Sequence, residues 1–503
     1  MITSLFGKRK FGTFKFGPVV LSSPRYGLQV DWDSAGLFDG SNEGSNLVDF
    51  SVERGRKYTI DVNGEGFEEE ETGRFDATLV DDQQRYDPYN TNSPLFGKVT
   101  GGKIFKTSVR TPVGNIFPIM AGILDEPVSY DEHGRRMARL TGSDGWAFLR
   151  DQVNVVTIPL QESVYADDAM RMVLDEAGWP RLLGTNLDAG VDARPYFWVD
   201  ARSPARVIHE LAHSELGTVN MAANGNLRFR SRNYDDPLRM TVITSDDCMS
   251  GGIRRLTPAE AIRNLLQVKT WPRAEQTTQE VWALPGYLQI GAGETIDDIW
   301  AEFAYSSISV PVRSPIAPVA TTDYQAGSAE GLSDLTASIT VGMTSFATRA
   351  KLSVTNNAAV TAYVSIRVRG NPLIRTNSAT FEYTDAASVE QFGPRPFLLE
   401  IENSVNVARA YRDLLGLFLS QARNYMVIDL LPDWDMQFGL DLGDRVRLEL
   451  PGVNQRFKVI RIRHKWRDSA GIVVDTQVYL EPFVSMSSGV QIPIQIPFQL
   501  GSL

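Results

Sequence analysis

The chain has 503 residues, 43% of them hydrophobic, with 41 glycines, 26 prolines and a formal net charge of −11. At about 100–200 residues per domain it accommodates roughly three to four domains, and its Gly, Pro, Phe and Tyr content favours a turn-rich β protein. The acidic balance argues against a protein that grips nucleic acid through its phosphates, which takes clustered Lys and Arg; it serves plain solubility, or a surface that DNA slides past without sticking.

Residues 1–22 read as an arm. FGKRKFGTFKFG places Phe6-Gly7, Phe11-Gly12 and Phe16-Gly17 five residues apart, a spacing that is neither a helix nor a strand period. Two readings stand: an end whose aromatics fold back on the chain's own core, or an arm docked on a neighbouring subunit. Lys8, Arg9 and Lys10 are not followed by an apolar run, so no signal peptide is read here. No stretch approaches about 18 uninterrupted apolar residues, so no membrane insertion is expected.

Residues 23–150 alternate repeatedly. Leu28–Trp32 and Asn46–Val52 read as strands, and Glu68–Glu71 as a solvated loop. In GRFDATLV, Phe75, Ala77 and Leu79 oppose Arg74, Asp76 and Thr78, the period of a strand with one covered face. RYDPYNTNSPLFG follows as a stiff loop: Pro88 and Pro94 fix φ and push their predecessors to extended conformations, while Asn90 and Asn92 supply turn chemistry. Lys103–Val109 alternates again, so the unit is strand, stiff loop, strand. Phe117–Leu124 is an apolar strand with a kink or bulge at Gly122.

Residues 151–235 change character. Ser163 is placed to cap a helix running to Gly178, and Ser203-Pro204 to start a second one. Asn224-Gly225 between apolar runs predicts a hairpin. Farther on, Ser338–Val341, Ala350–Val354 and Val360–Val368 are short β runs with a turn at Asn356-Asn357, and Ser404–Asn424 reads as a helix. Cys248, the single cysteine, excludes an internal disulfide framework and fits folding in a reducing cytoplasm. In residues 485–503, Ile492, Ile494 and Phe498 alternate with Gln and Pro. That pattern is an edge strand at most; it packs on its own domain or adds to a sheet edge of another chain.

RYDPYNTNSPLFG between strands resembles the first β-barrel of the tail-hub (baseplate hub or minor tail) proteins of long-tailed bacteriophages. ARLTGSDGWAFLRD, LDEAGWP and LRFRSR resemble the same family in order, as do LSVTNNAAVTAYVSIRVRGNPL and FGLDLGDRVRLELPGVNQRFKVIRIRHKW. The resemblance implies a mainly β fold with α+β parts: two tail-tube-like β-barrels, a small α+β domain and an inserted β-sandwich. It divides the chain into a docking arm 1–22, a first hub barrel 23–150, an α+β domain 151–235, a second barrel 236–285 and 386–484 with a helix, an inserted sandwich 286–385, and an extended tail 485–503. It further implies a structural protein of the virion tail tip, assembled in the host cytoplasm. A homotrimeric ring would join a sixfold tail tube to a threefold tip, contact tail-tube ring, tape-measure and fibre or tip proteins, and pass DNA without specific binding. Phe6, Phe11, Phe16, Ile492, Ile494 and Phe498 are the expected interaction residues; no cofactor and no catalytic residue are expected.

One constellation points to other chemistry. His209-Glu210-Leu211-Ala212-His213 is HExxH on a predicted helix, where two imidazoles one turn apart share a zinc and the glutamate activates its water. The extended pattern fails: Val219 stands where a third histidine belongs and Leu216 where glycine does. No glutamate occurs between Glu215 and Glu260, although Asp235 and Asp236 stand nearby. His209, Glu210 and His213 are thus weak metal candidates. Two rivals to the hub reading remain, a hub carrying a zinc peptidase and a carbohydrate-binding adhesin acting through the inserted sandwich.

Overall fold

A computed structural model describes residues 25–38, 42–56, 70–111, 114–151, 155–215, 217–231, 241–256, 262, 264–329, 332–402, 425–431, 434–468 and 472–482. The arm with Phe6, Phe11 and Phe16, the tail with Ile492, Ile494 and Phe498, and the predicted helix Ser404–Asn424 lie outside the described residues.

Thirteen strands form one sheet. Its first half runs in the order Arg25–Val30, Ile104–Arg110, Ile116–Leu124, Arg135–Ser143, Glu70–Val80 and Leu47–Arg56. The second continues through Val453–Asp468, Ile472–Pro482, Tyr425–Leu430 and Cys248–Leu256; Arg445–Leu450 pairs with Val453–Asp468 and carries Thr241–Thr244, and Val128–Glu132 is paired to Arg135–Ser143 in the first half. Each half folds over its own core. In the first, Leu28, Phe50, Phe75, Phe105 and Leu140 meet Tyr86 and Leu95 of the Pro-stiffened loop. In the second, Ile243, Ile428, Leu448, Phe457 and Val478 pack together. The fold is mainly β with α+β parts, as expected. What the sequence pattern did not indicate is that the two half-barrels are one sheet, continuous where Leu47–Arg56 pairs antiparallel with Val453–Asp468 from Asp49↔Arg467 to Gly55↔Arg461.

The stiff loop is a corner. Tyr86 is buried and its hydroxyl donates to Glu43 at 2.6 Å; Arg85 and the Trp32 indole N–H donate to the same buried carboxylate. The strand after Gly73 starts earlier than the alternation indicates, at Glu70 inside the acidic run, because it pairs with the long strand Leu47–Arg56.

Between the halves lies the α+β part. Helices α1 (Gly145–Arg150), α2 (Ala166–Glu176) and α3 (Pro204–Ser214) pack with the ribbon Val156–Val164/Arg194–Arg202 and a hairpin Thr218–Met221/Leu227–Arg230. The hairpin turns at Gly225, φ +88°. Their core holds Trp146, Met170, Leu174, Ile208, Leu211 and Phe229. Ser163 does not cap α2. It lies inside the preceding strand, one residue before its end at Val164, with φ 54°, and α2 begins at Ala166 without a side-chain cap, its first turn carrying Asp167 and Asp168 at the favourable end of the helix dipole.

The inserted sandwich has two sheets. In one, the long strand Ala362–Arg375 takes Arg273–Glu275, Gln279–Ala283, Leu288–Ile290, Val312–Ile316 and Tyr324–Ala329 as partners. The other is Thr295–Glu302, Arg349–Asn356 and Ile339–Ser345. Asn356 ends a strand of one sheet, and its amide donates to the carbonyls of Ile290, Gly291 and Val360, fixing the crossing to the other sheet. Strand Leu265–Trp271 leaves the main sheet and pairs with Ala379–Thr384 and Pro396–Glu402. Its alternation looks like that of a barrel strand; which partner it takes is decided by chain geometry that alternation does not encode.

Gly55 sets the seam. Its φ is +106°, and a Cβ there would stand 2.2 Å from the Ile460 carbonyl oxygen. Gly55→Ala is expected to cost about 2–4 kcal/mol in urea unfolding; an unchanged midpoint would show that the seam does not hold this register.

Candidate functional site

HELAH is taken apart by its helix. Val207, Ile208, Leu211 and Ala212 face the core, and His209 joins them: it is buried, and its ring stacks on Trp146 at 4.5 Å between centroids and 14° between planes. Glu210 turns outward to Arg202 and Arg206. The side chain of His213 lies outside what is described. The stack fixes the plane of the His209 ring inside the core, while Glu210, held by two guanidiniums, turns to the outer face of the helix. Among the described residues no three His, Cys, Asp or Glu side chains converge on a metal-sized site.

The chemistry gathers elsewhere, at the seam. Phe50, Val52 and Arg54 share the inward period of strand Leu47–Arg56, so a charge follows two hydrophobes into the interior. Arg54 is 2% exposed. Its Nη1 donates to Asp441 Oδ1 at 2.9 Å and to the Met221 carbonyl at 3.3 Å. Asp441 opens the DLGD loop before strand Arg445–Leu450. Its Oδ2 accepts from the Ala223 N–H at 3.1 Å and lies 3.3 Å from Arg228 Nη2. Arg228 donates Nε to Asn220 Oδ1 at 3.0 Å and also reaches the Leu442 carbonyl. Asp444 Oδ2 accepts the Asp441 N–H at 2.7 Å and fixes the loop.

One carboxylate therefore ties three parts: Arg54 from the first half, its own loop from the second, and Ala223 and Arg228 from the α+β hairpin. Burial works to raise the Asp441 carboxyl, but the Arg54 and Arg228 guanidiniums together hold it below the usual carboxylate range. His464 lies beside them, buried, with Nδ1 3.0 Å from Thr476 Oγ1. Burial, then the Arg54 charge, push it down to about 3. Asp144 accepts from the Trp146 N–H at 3.0 Å and caps α1; burial pushes it up to about 6. Gly73 lets it in, since a Cβ at 73 would stand 2.5 Å from Asp144 Oδ2.

Arg54, Asp441 and Arg228 are absent from the sequence-derived site residues. The available signal was Arg54, a charge at an inward position of an alternating strand, which demands a buried counter-charge.

No protein-family model matches the chain, and no curated protein sequence matches it. Solved structures do. The tail protein from Neisseria meningitidis MC58 superposes with a TM-score of 0.50 at 11% identity, over 94% of this chain and 99% of that one. The 43 kDa tail protein of prophage MuSo2 from Shewanella oneidensis gives 0.47 at 11% identity, over 91% and 98%. Prophage tail protein gp18 from Listeria monocytogenes EGD-e gives 0.42 at 8%, over 91% and 94%. The Neisseria match fixes the fold: this chain is built like that tail protein, and a tail-protein fold is what the resemblance implied.

Arg54→Ala leaves Asp441 short of a counter-charge, and a loss of about 3–5 kcal/mol is expected in urea unfolding; a loss under about 1 kcal/mol would remove the junction from the account. His464 is neutral in the fold and charges on unfolding below its ordinary value. Its contribution is complete above about pH 6.5 and lost as pH falls toward 3. Asp144 has the opposite sign: the fold holds its proton more tightly, so its contribution grows as pH falls from about 6 to 4. His464→Gln isolates the first effect. Between pH 7.5 and 5 the variant should lose about 2 kcal/mol less stability than the parent; parallel curves would contradict the assignment.

Proposed function

We propose that this chain is a structural hub protein of a phage tail, without catalysis. The observation that carries the reading is a pair of half-barrels made continuous in a single chain, in a fold that a tail protein shares over nearly its whole length. Three copies then present six such units, which seats a threefold ring on a sixfold tube. Each half acts as one tube-like unit, the first from 23–150 and the second from 236–285 with 386–484, less the strands between 265 and 283 and Pro396–Glu402 that leave the main sheet; 151–235 is the wedge between them, and the sandwich, 286–385 with Arg273–Glu275 and Gln279–Ala283, projects outward. The ring sits at the tail tip after assembly in the host cytoplasm and contacts tube-ring, tape-measure and fibre or tip proteins. Its net charge of −11 lets DNA pass without adhering. The arm through Phe6, Phe11 and Phe16 and the tail through Ile492, Ile494 and Phe498 dock on neighbouring chains.

In sedimentation or mass photometry, the purified chain is expected at three times its 55.8 kDa mass; a stable dimer or tetramer would contradict the ring. Removing residues 2–17 is expected to leave the thermal midpoint unchanged and to abolish incorporation into particles, whereas normal incorporation would exclude the docking role of the arm.

A further inference from the structure

The inserted sandwich touches the α+β part through polar and charged side chains. On the ribbon Val156–Val164/Arg194–Arg202, Ile158, Phe197 and Val199 enter the core, so Glu162, Trp198 and Asp200 are left on the other face. The sandwich meets them with polar groups. Arg313 Nε donates to Glu162 Oε1 at 2.6 Å while its Nη1 holds Glu275 of the sandwich at 2.6 Å. Thr348 Oγ1 donates to Asp200 Oδ2 at 2.5 Å, and Arg349 Nη2 lies 3.6 Å from Asp200 Oδ1. The Arg273 guanidinium stands 4.8 Å over the Trp198 ring. The apolar cores of the two bodies are separate clusters.

The backbone adds a second, independent observation. Ser163, Ala201 and Ser314 have φ of 54°, 46° and 50°, in the left-handed region that side chains other than Gly, Asn and Asp rarely adopt. Each immediately follows a contact residue: Glu162, Asp200 and Arg313. Pairing also slips beside them, between Val199 and Arg202 and between Arg313 and Ile316. Strain of this kind persists where the surrounding contacts hold it, and here it sits on both sides of one polar interface. The sandwich is also carried on a narrow support. Two strands lead into it, interrupted at Pro272, whose carbonyl accepts both the N–H of Thr376 at 2.8 Å and its hydroxyl at 2.9 Å.

We propose that this interface is a latch. The sandwich swings from the α+β part about Pro272 and Thr376, between a closed state held by Glu162–Arg313 and Asp200–Thr348/Arg349 and an open state in which those pairs part and the backbone at 163, 201 and 314 relaxes. Exposed ion pairs on a polar interface are weak and screened by salt, and such interfaces permit domain motion by default. The latch is independent of the tail reading, since it requires no ring and no particle.

The test uses the full chain with Cys248→Ala and nitroxide labels at Val155→Cys and Val360→Cys, both exposed positions. Distances are measured by pulsed electron spin resonance from about 10 mM to about 1 M salt, over which the screening length falls from about 30 to about 3 Å. One short distance is expected at low salt, with a longer one growing about tenfold in population at high salt. Glu162→Gln with Asp200→Asn should show the long distance at low salt. Ala201→Gly, which relieves the closed backbone, should suppress it at intermediate salt. A single unchanged distance in the parent across the whole salt range would overturn the latch, and that arm needs no variant at the interface to fold. A long distance that Ala201→Gly increases would overturn the strain.

Discussion

The architecture depends on a row of backbone hydrogen bonds between Leu47–Arg56 and Val453–Asp468, strands from opposite ends of the described chain. Without it there are two half-sheets, each with a raw edge where the other now stands. Exposed edges are templates for unwanted pairing, and the seam removes one from each half. Gly55 lets the strands approach, and Arg54, next to it, is aimed inward at Asp441. Such pairing is costly to close, because the loop-closure entropy of a long intervening chain must be met before its contacts form.

Burying the Arg54–Asp441–Arg228 cluster is poor use of interior volume if stability alone is counted; hydrophobic residues of equal size usually do as well. What the charges add is uniqueness. An apolar joint tolerates sliding, whereas a carboxylate that must receive Arg54, Arg228 and the Ala223 N–H at once is satisfied in one arrangement. The α+β part is thus locked to both halves at a fixed angle. The sandwich is held otherwise, by exposed pairs on a strained ribbon. One joint is rigid and one releasable, in the same chain, and the difference is burial of the charges.

Much of this was legible in the sequence where a pattern is local. The alternation of Phe75, Ala77 and Leu79, the hairpin at Asn224-Gly225 and the start of α3 at Pro204 are all properties of a few adjacent residues, and each appears in the structure. The corner loop was legible as stiff but not as a lid on a buried Glu43, because Glu43 lies far back in the chain. Partner choice was not legible. Nothing in Leu265–Trp271 says that it joins a small separate sheet, nor in Val453–Asp468 that it joins the first half. HELAH shows the same limit of local spacing. Its spacing meets a motif, but that His209 lies in the core against Trp146, while Glu210 pairs outward with Arg202 and Arg206, depends on residues that the motif does not contain.

The proposed hub is a joined pair of half-barrels repeated by threefold symmetry, and a reconstruction of the particle's tail tip by electron cryo-microscopy tests that proposal most directly. The account predicts three copies of the chain around a common axis, with six half-barrels encircling an open path and Leu47–Arg56 still paired to Val453–Asp468 within each copy. A ring with another copy number, or density in which the two halves of one chain stand apart, would contradict it.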